Sequence, residues 1–223
     1  MAKSQPEKSR VLIVEDHPLF SEGLRQMIDR NAALVVCGQV PDANAALKAV
    51  AELKPDLVLV DISLQGCNGI DLIKSLKAKY EELPILVISM HDESLYAERA
   101  LRAGAAGYVM KNEPARVVKA AILKVLGGDV FLSAKMSTSV LAKLMRGKGE
   151  QHPSPIGQLS DRELEVFQML GEGKASRQIA EELQLTIPTI HSFRLRIKEK
   201  LQLKNSTELM LHAMQWLREQ AAK

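Results

Sequence analysis

Aromatic side chains make up only 4% of this 223-residue chain, so its cores must be filled by Leu, Ile, Val and Met. Cysteine is scarcer still. Cys37 and Cys67 stand alone, without the spacing of a metal or redox motif, and read as two reduced thiols rather than a disulfide framework. No apolar run approaches the roughly 20 residues that a membrane helix needs. The polar opening, residues 1–10, has no hydrophobic signal core. These absences predict a cytoplasmic protein with no membrane partner. A dominant charge is missing too: 30 Lys and Arg against 27 Asp and Glu give +3, so only local clusters can point to a partner. One such cluster is present, because residues 186–204 carry Arg194, Arg196, Lys198, Lys200 and Lys204 against Glu199 alone. It could meet an anionic polymer.

The apolar fraction, 46%, is ample, and its arrangement divides the chain. Apolar runs at 11–14, 34–37, 57–60, 85–88 and 108–110 alternate with helical patterns near 19–30, 42–53, 68–79, 92–103 and 113–127. Five such repeats predict an α/β domain over 10–128, a five-stranded, doubly wound parallel sheet covered on both faces. Gly127-Gly128 closes the last helix. Residues 129–157 read as a linker. A helix from Ser133 to Met145 is expected within it, with Val140, Leu141, Leu144 and Met145 in register, followed by a Gly/Pro-rich flexible joint over 147–157.

From 158 to 223 the pattern is helical throughout, predicting a second, all-α domain. Ser160-Asp161-Arg162-Glu163 is a capping box, Ser176 to Leu183 a short helix, and Thr186 the cap of a helix to about Leu201. Asn205 to Glu208 opens a fourth. Pro188 falls in the first turn of the third helix, where a missing amide does no harm.

The chemistry gathers where the apolar runs end. Val11 to Val14 delivers Glu15 and Asp16, Leu57 to Val60 delivers Asp61, Ile85 to Ile88 delivers Ser89, and Tyr108 to Met110 delivers Lys111. In an open α/β sheet, ligands bind in the crevice at the carboxyl ends of the strands. Clustered carboxylates there would suit a hard cation such as Mg2+, which takes oxygen ligands, and Lys111 would supply a point charge for a phosphate. An aspartate so placed could attack phosphorus to give an acyl phosphate.

The runs Val-Leu-Ile-Val-Glu-Asp-His-Pro-Leu-Phe (11–20), Pro-Asp-Leu-Val-Leu-Val-Asp-Ile-Ser (55–63) and Gly-Ala-Ala-Gly-Tyr-Val-Met-Lys (104–111) resemble the receiver domain of bacterial two-component response regulators. Residues 159–217 resemble a LuxR-type helix-turn-helix, so the whole chain is similar to the NarL/FixJ family. The resemblance implies a flavodoxin-like receiver whose Asp61 is phosphorylated by a histidine kinase. It implies Mg2+ held by Glu15, Asp16, Asp61 and the Ser63 carbonyl, with Ser89 and Lys111 on the phosphoryl group. Tyr108 matches the family's aromatic switch position, turning inward as Ser89 is drawn to phosphate. A homodimer on phosphorylation is expected, with Leu209, Ala213 and Trp216 as contact candidates, burial in the domain's own core being the equal alternative. Gln65 stands where the family often has proline, predicting a modest change in loop stiffness.

Helix-turn-helix modules read duplex DNA with the early residues of their second helix. The expected contacts are Thr189, His191 and Ser192 at base edges, with Arg194, Arg196, Lys198 and Lys200 on flanking phosphates. The face opposite Ile190 and Ile197 departs from the family: it carries Pro188, His191, Leu195 and Glu199, and positions commonly lysine are not. Two readings follow. One is a response regulator controlling transcription through DNA; the other is a phosphorylation-gated protein-interaction module that no longer binds specific DNA. A phosphate-ester hydrolase would need a second aspartate two residues after Asp61, where Ser63 stands, so no enzyme is expected.

Overall fold

The computed structural model describes residues 8–64, 66–138 and 155–221. They form two compact units. In the first, five parallel strands alternate with five helices: β1 Ser9–Val14, α1 Pro18–Asp29, β2 Leu34–Val40, α2 Ala43–Leu53, β3 Leu57–Val60, α3 Gly69–Lys79, β4 Ile85–Ser89, α4 Glu93–Arg102, β5 Gly107–Met110 and α5 Ala115–Leu126. The strand order is β2-β1-β3-β4-β5, and every pairing is parallel. The order reverses between β1 and β3, which opens a crevice at their carboxyl ends. The predicted α/β class and doubly wound sheet are both observed.

Helices cover both faces, so the buried stretches of the central strands, Val11–Val14, Leu57–Val60 and Ile85–Ile88, are apolar at every position. Polar residues such as Arg10 and Gln39 fall where the strands are exposed. Val11, Ile13, Leu57, Leu59, Leu86 and Ile88 pack on one face with Leu24 and Ile28 of α1 and Val118, Ala121, Ile122 and Val125 of α5. Leu12, Val14, Val58 and Val60 are equally buried. Local chemistry sets the helix starts. Asp42 accepts from the Ala45 amide at 2.9 Å, Asn68 from Ile70 at 2.9 Å and Asp92 from Ser94 at 2.8 Å, each satisfying an amide that has no intrahelical partner. Helix α4 is thus capped by Asp92, three residues beyond Ser89.

One element has no counterpart in the apolar pattern. Just past Asp61, Ser63–Leu64 and Cys67–Asn68 form a two-residue antiparallel ladder that folds the loop back toward α3. Within the segment expected as a linker, residues 134–138 are helical. The rest of that expected helix, including Val140, Leu141, Leu144 and Met145, lies outside the described residues, as does Gln65. Of the joint expected over 147–157, residues 147–154 lie outside the described residues; Pro155–Gln158 form a 3-10 turn with Ile156 buried.

The second unit is helical: α6 Asp161–Gly171, α7 Ser176–Glu182, α8 Ile187–Leu201 and α9 Ser206–Ala221. The capping box at Ser160 and Glu163 is formed in both directions, and Thr186 caps α8 through the Thr189 amide. Leu164, Phe167, Leu170, Ile179, Ile190, Ile197, Leu209 and Ala213 are all buried. Trp216 packs its ring 5.4 Å from that of Phe167. Of the two expectations for Leu209, Ala213 and Trp216, burial in the unit's own core is the one observed.

Candidate functional site

Main-chain bonds bring the strand ends to one rim. The Glu15 amide donates to the Val40 carbonyl at 3.0 Å, that of Asp61 to Val14 at 3.0 Å, and that of Lys111 to Ser89 at 2.8 Å. Glu15, Asp16, Asp61, Ser89 and Lys111 are therefore gathered as the sequence predicts. The Lys111 ammonium, 7% exposed, lies 2.8 Å from Asp61 Oδ2 and 2.6 Å from Glu15 Oε2, with the Phe20 ring 4.6 Å below it. Asp61, 2% exposed, keeps its second oxygen, Oδ1, buried without a hydrogen-bond partner. A buried, unsatisfied carboxylate oxygen is costly and calls for a cation or a proton.

Three carboxylates face one ammonium here, and their electrostatics follow. Burial and the charge of Asp61 push the Glu15 carboxyl up, with Lys111 offsetting part of the rise. Burial pulls the Lys111 ammonium down, but Asp61 and Glu15 outweigh it and hold it above the ordinary lysine value. Both shifts describe one situation: more negative charge than the single ammonium can neutralise. A divalent cation would relieve it. Glu15, Asp16, His17 and Asp61 each offer a ligand atom, and these atoms lie within 4.8 Å of one another. The donors are mostly hard oxygens, which fits a hard cation.

His17 is absent from the expected set. Its Nδ1 lies 2.7 Å from Asp16 Oδ1 and 3.0 Å from Glu15 Oε1. The only sequence signal for it is adjacency to the acidic pair. His91 is the second residue that sequence reasoning passes over. Its Nε2 is 2.8 Å from the Ser63 hydroxyl, and its amide donates to Ser89 Oγ at 3.3 Å. Its ring stacks on Tyr96 with centroids 4.4 Å apart. Ser63 itself sits in the two-residue ladder with its hydroxyl on His91. Tyr108 is 1% exposed, its ring inward, its hydroxyl donating to the His91 carbonyl at 2.7 Å. Burial, above all, pushes its phenol well up, so it acts only as a neutral donor. Gly69 is the third omission. Its amide donates to the Ile62 carbonyl at 2.7 Å, and a Cβ there would run into the Asp61 carbonyl.

In the helical unit, α8 presents Pro188, His191, Ser192, Leu195 and Glu199 to solvent, with Leu195 54% exposed. Thr189 is half-buried and shares a 2.8 Å hydrogen bond with Thr186. The basic residues divide. Arg194 Nη1 donates to Ser176 Oγ at 2.6 Å. Lys200 Nζ lies 2.6 Å from the buried Glu163 carboxylate and 3.2 Å from the Gln158 carbonyl. Burial would raise Glu163, but Lys200 and the Ser160 amide outweigh it and hold the carboxyl below its ordinary value. Arg196 lies over Phe193, 5.9 Å from the ring centroid.

Residues 11–123 match the response regulator receiver domain, and residues 157–213 match the luxR family of bacterial regulatory proteins. The chain is 31% identical over 205 residues to the response regulator GacA of Pseudomonas aeruginosa, covering 92% of this chain and 95% of that one. It is 27% identical over 220 residues to the transcriptional regulatory protein DegU of Brevibacillus brevis, covering 93% of each. Among solved structures, a LuxR-family two-component response regulator from Aurantimonas sp. matches with TM-score 0.58 and 30% identity, covering 62% of this chain and 99% of that one. RcsB from Salmonella enterica serovar Typhimurium, bound to promoter rprA with the phosphomimetic BeF3-, shares the fold with TM-score 0.61 and 24% identity, covering 93% of this chain and 99% of that one. No described helix is long and apolar enough to cross a membrane.

Proposed function

Because the chain belongs to the response regulators that join a receiver domain to a LuxR-type DNA-binding domain, we propose that Asp61 is its phosphoacceptor and that phosphorylation there controls DNA binding and transcription. The observation that carries this reading is the buried, unpartnered Asp61 Oδ1, beside an oxygen already held by Lys111. One carboxylate oxygen is positioned by the ammonium and the other is available to attack.

The donor is a phosphohistidine of a partner kinase. Asp61 Oδ1 forms the new bond to phosphorus as the bond to the donor's imidazole nitrogen breaks, and that nitrogen leaves with the electron pair and takes up a proton. Lys111 stays within reach of both the acceptor and an equatorial phosphoryl oxygen, where its charge is most useful. Ser89 and Tyr108 sit on one chain of contacts through His91, so a phosphoryl oxygen bonding Ser89 would act on the loop that Tyr108 holds. Glu15, Asp16 and Asp61, with the Ser63 carbonyl, are the residues to hold Mg2+, which when bound neutralises charge on the transferring oxygens. The working domains are 10–128 for the receiver, 129–157 for the linker and 158–223 for DNA binding.

On the DNA side, His191 and Ser192 are the candidates for base edges, and Arg196 and Lys198 for phosphates. The exposed Leu195 and Ile187 favour the second reading, a partner-binding module, and a binding series separates the two. Specific DNA recognition requires a site, selected with phosphorylated protein, whose affinity exceeds that for random duplex and falls with salt. For the phosphoacceptor, the chain is incubated with a small phosphodonor and Mg2+, and its mass is measured. One phosphoryl group is expected on the peptide containing Asp61, and none on the Asp61→Asn variant. Equal incorporation in that variant refutes the assignment.

A further inference from the structure

We propose that His17 is a nitrogen ligand to the cation in the acidic pocket, giving the site a preference for a borderline first-row cation such as Mn2+ or Zn2+ over Mg2+. This rests on the reading of the pocket as a cation site and adds a donor to it.

His17 occupies the N-cap position of α1, yet its side chain makes no capping hydrogen bond. The imidazole turns back instead, toward the carboxylates that precede it. It is 69% exposed, so core packing does not account for that orientation. Two close approaches define its place: Nδ1 is 2.7 Å from Asp16 Oδ1 and 3.0 Å from Glu15 Oε1. The second is a hydrogen bond, which an ion taking up Nδ1 would replace; the first is not directed as one, since Asp16 Oδ1 is buried without a partner. Donor atoms that share one ion approach closely without bonding to each other, as Nδ1 and Asp16 Oδ1 do.

The spacing agrees with that. Neighbouring ligands of an octahedral ion bound at about 2.1 Å lie roughly 3 Å apart. The nitrogen meets two carboxylate oxygens near that separation, and one of them, Asp16 Oδ1, is buried without a hydrogen-bond partner. Mg2+ gains little from exchanging an oxygen donor for imidazole. Mn2+ and Zn2+ accept nitrogen readily, and their affinity rises above that of Mg2+ as nitrogen replaces oxygen. His17 is therefore the residue that sets which cation the pocket holds.

The test loads the full chain with Mn2+ and records electron spin-echo modulation from directly bound imidazole nitrogen. The modulation is expected in the wild type and absent in His17→Ala. Affinity for Zn2+, measured by competition with Mn2+, is expected to fall about tenfold in that variant, while Mg2+ affinity changes less than about threefold. Asp16→Asn serves as the site control and is expected to lose both cations. Mn2+ bound without nitrogen modulation overturns the role of His17 and leaves the cation site standing. Failure to bind either Mn2+ or Mg2+ removes both.

Discussion

The Tyr108 hydroxyl donates to the His91 main-chain carbonyl at 2.7 Å, tying the aromatic of β5 to the loop after β4. The same His91 reaches the Ser63 hydroxyl through Nε2. The loop that follows Asp61 and the ring of Tyr108 thus meet at one residue. Tyr108→Phe leaves the His91 carbonyl without that donor and should cost about 0.5–1.5 kcal/mol, read by chemical denaturation. Phosphoryl incorporation at Asp61 should survive, while the phosphorylation-dependent gain in DNA affinity should shrink. A variant with wild-type DNA response removes Tyr108 from the relay.

Glu15 makes cation binding pH-dependent. Its carboxyl is raised by burial and by the charge of Asp61, so the folded protein holds that proton above the ordinary glutamate value of about 4.3. For a raised carboxyl, the contribution to stability is complete below the unfolded value and is lost as pH rises through the folded one. Mg2+ competes with the same proton, so the rise in Tm that Mg2+ produces should grow across that window. Glu15→Gln should flatten both profiles. A Mg2+-dependent Tm shift that is constant with pH in the wild type contradicts this account.

Gly69 lies against the Asp61 main chain, where an added Cβ meets the Asp61 carbonyl. Backbone cannot yield as a flexible side chain can. Gly69→Ala should destabilise the receiver by about 1–3 kcal/mol, and the displaced Asp61 should slow phosphoryl incorporation as well. Gly66, where φ is +74° and nothing crowds a Cβ, differs: alanine there should cost roughly 1–2 kcal/mol of backbone strain without the steric clash. Thermal unfolding and phosphorylation rates of the two variants separate crowding from conformation.

The cations of α8 should not be equivalent on DNA. Lys200 is held by Glu163 and the Gln158 carbonyl. Arg196 and Lys198 should each lower the salt slope of binding by about 1 when changed to alanine, whereas Lys200→Ala should leave the slope close to wild type. Lys200→Ala should instead weaken the helical unit at neutral pH, and the difference from wild type should vanish in acid, where Glu163 is protonated. Glu163, held below its ordinary value, contributes stability above the unfolded value and loses it as pH falls through the folded one. Equal slopes for all three variants sink the distinction.

Much of this was legible in one dimension, for a physical reason. A parallel strand covered on both faces must be apolar at every position, so the residue that ends the run marks the sheet rim. Glu15, Asp16, Asp61, Ser89 and Lys111 were read that way and are found together. The capping box at Ser160 and Glu163 and the Thr186 cap are local, and they too were legible. His91 was not, because its partner Ser63 lies 28 residues away on a different strand end. Lys200 was read as a flank facing solvent, since a helical projection shows direction but not the neighbouring Glu163, 37 residues away.

Alone, the sequence determined the two-part architecture, the rim chemistry and the helix starts, since each depends on short-range periodicity or on a residue type at a chain boundary. Only the tertiary structure decided that one Asp61 oxygen is held while the other is unsatisfied, and that His17 turns toward the acids. It alone decided that Tyr108 lies inward and that Trp216 belongs to the core. Those outcomes depend on distances between residues that the chain keeps apart and folding brings within bonding range.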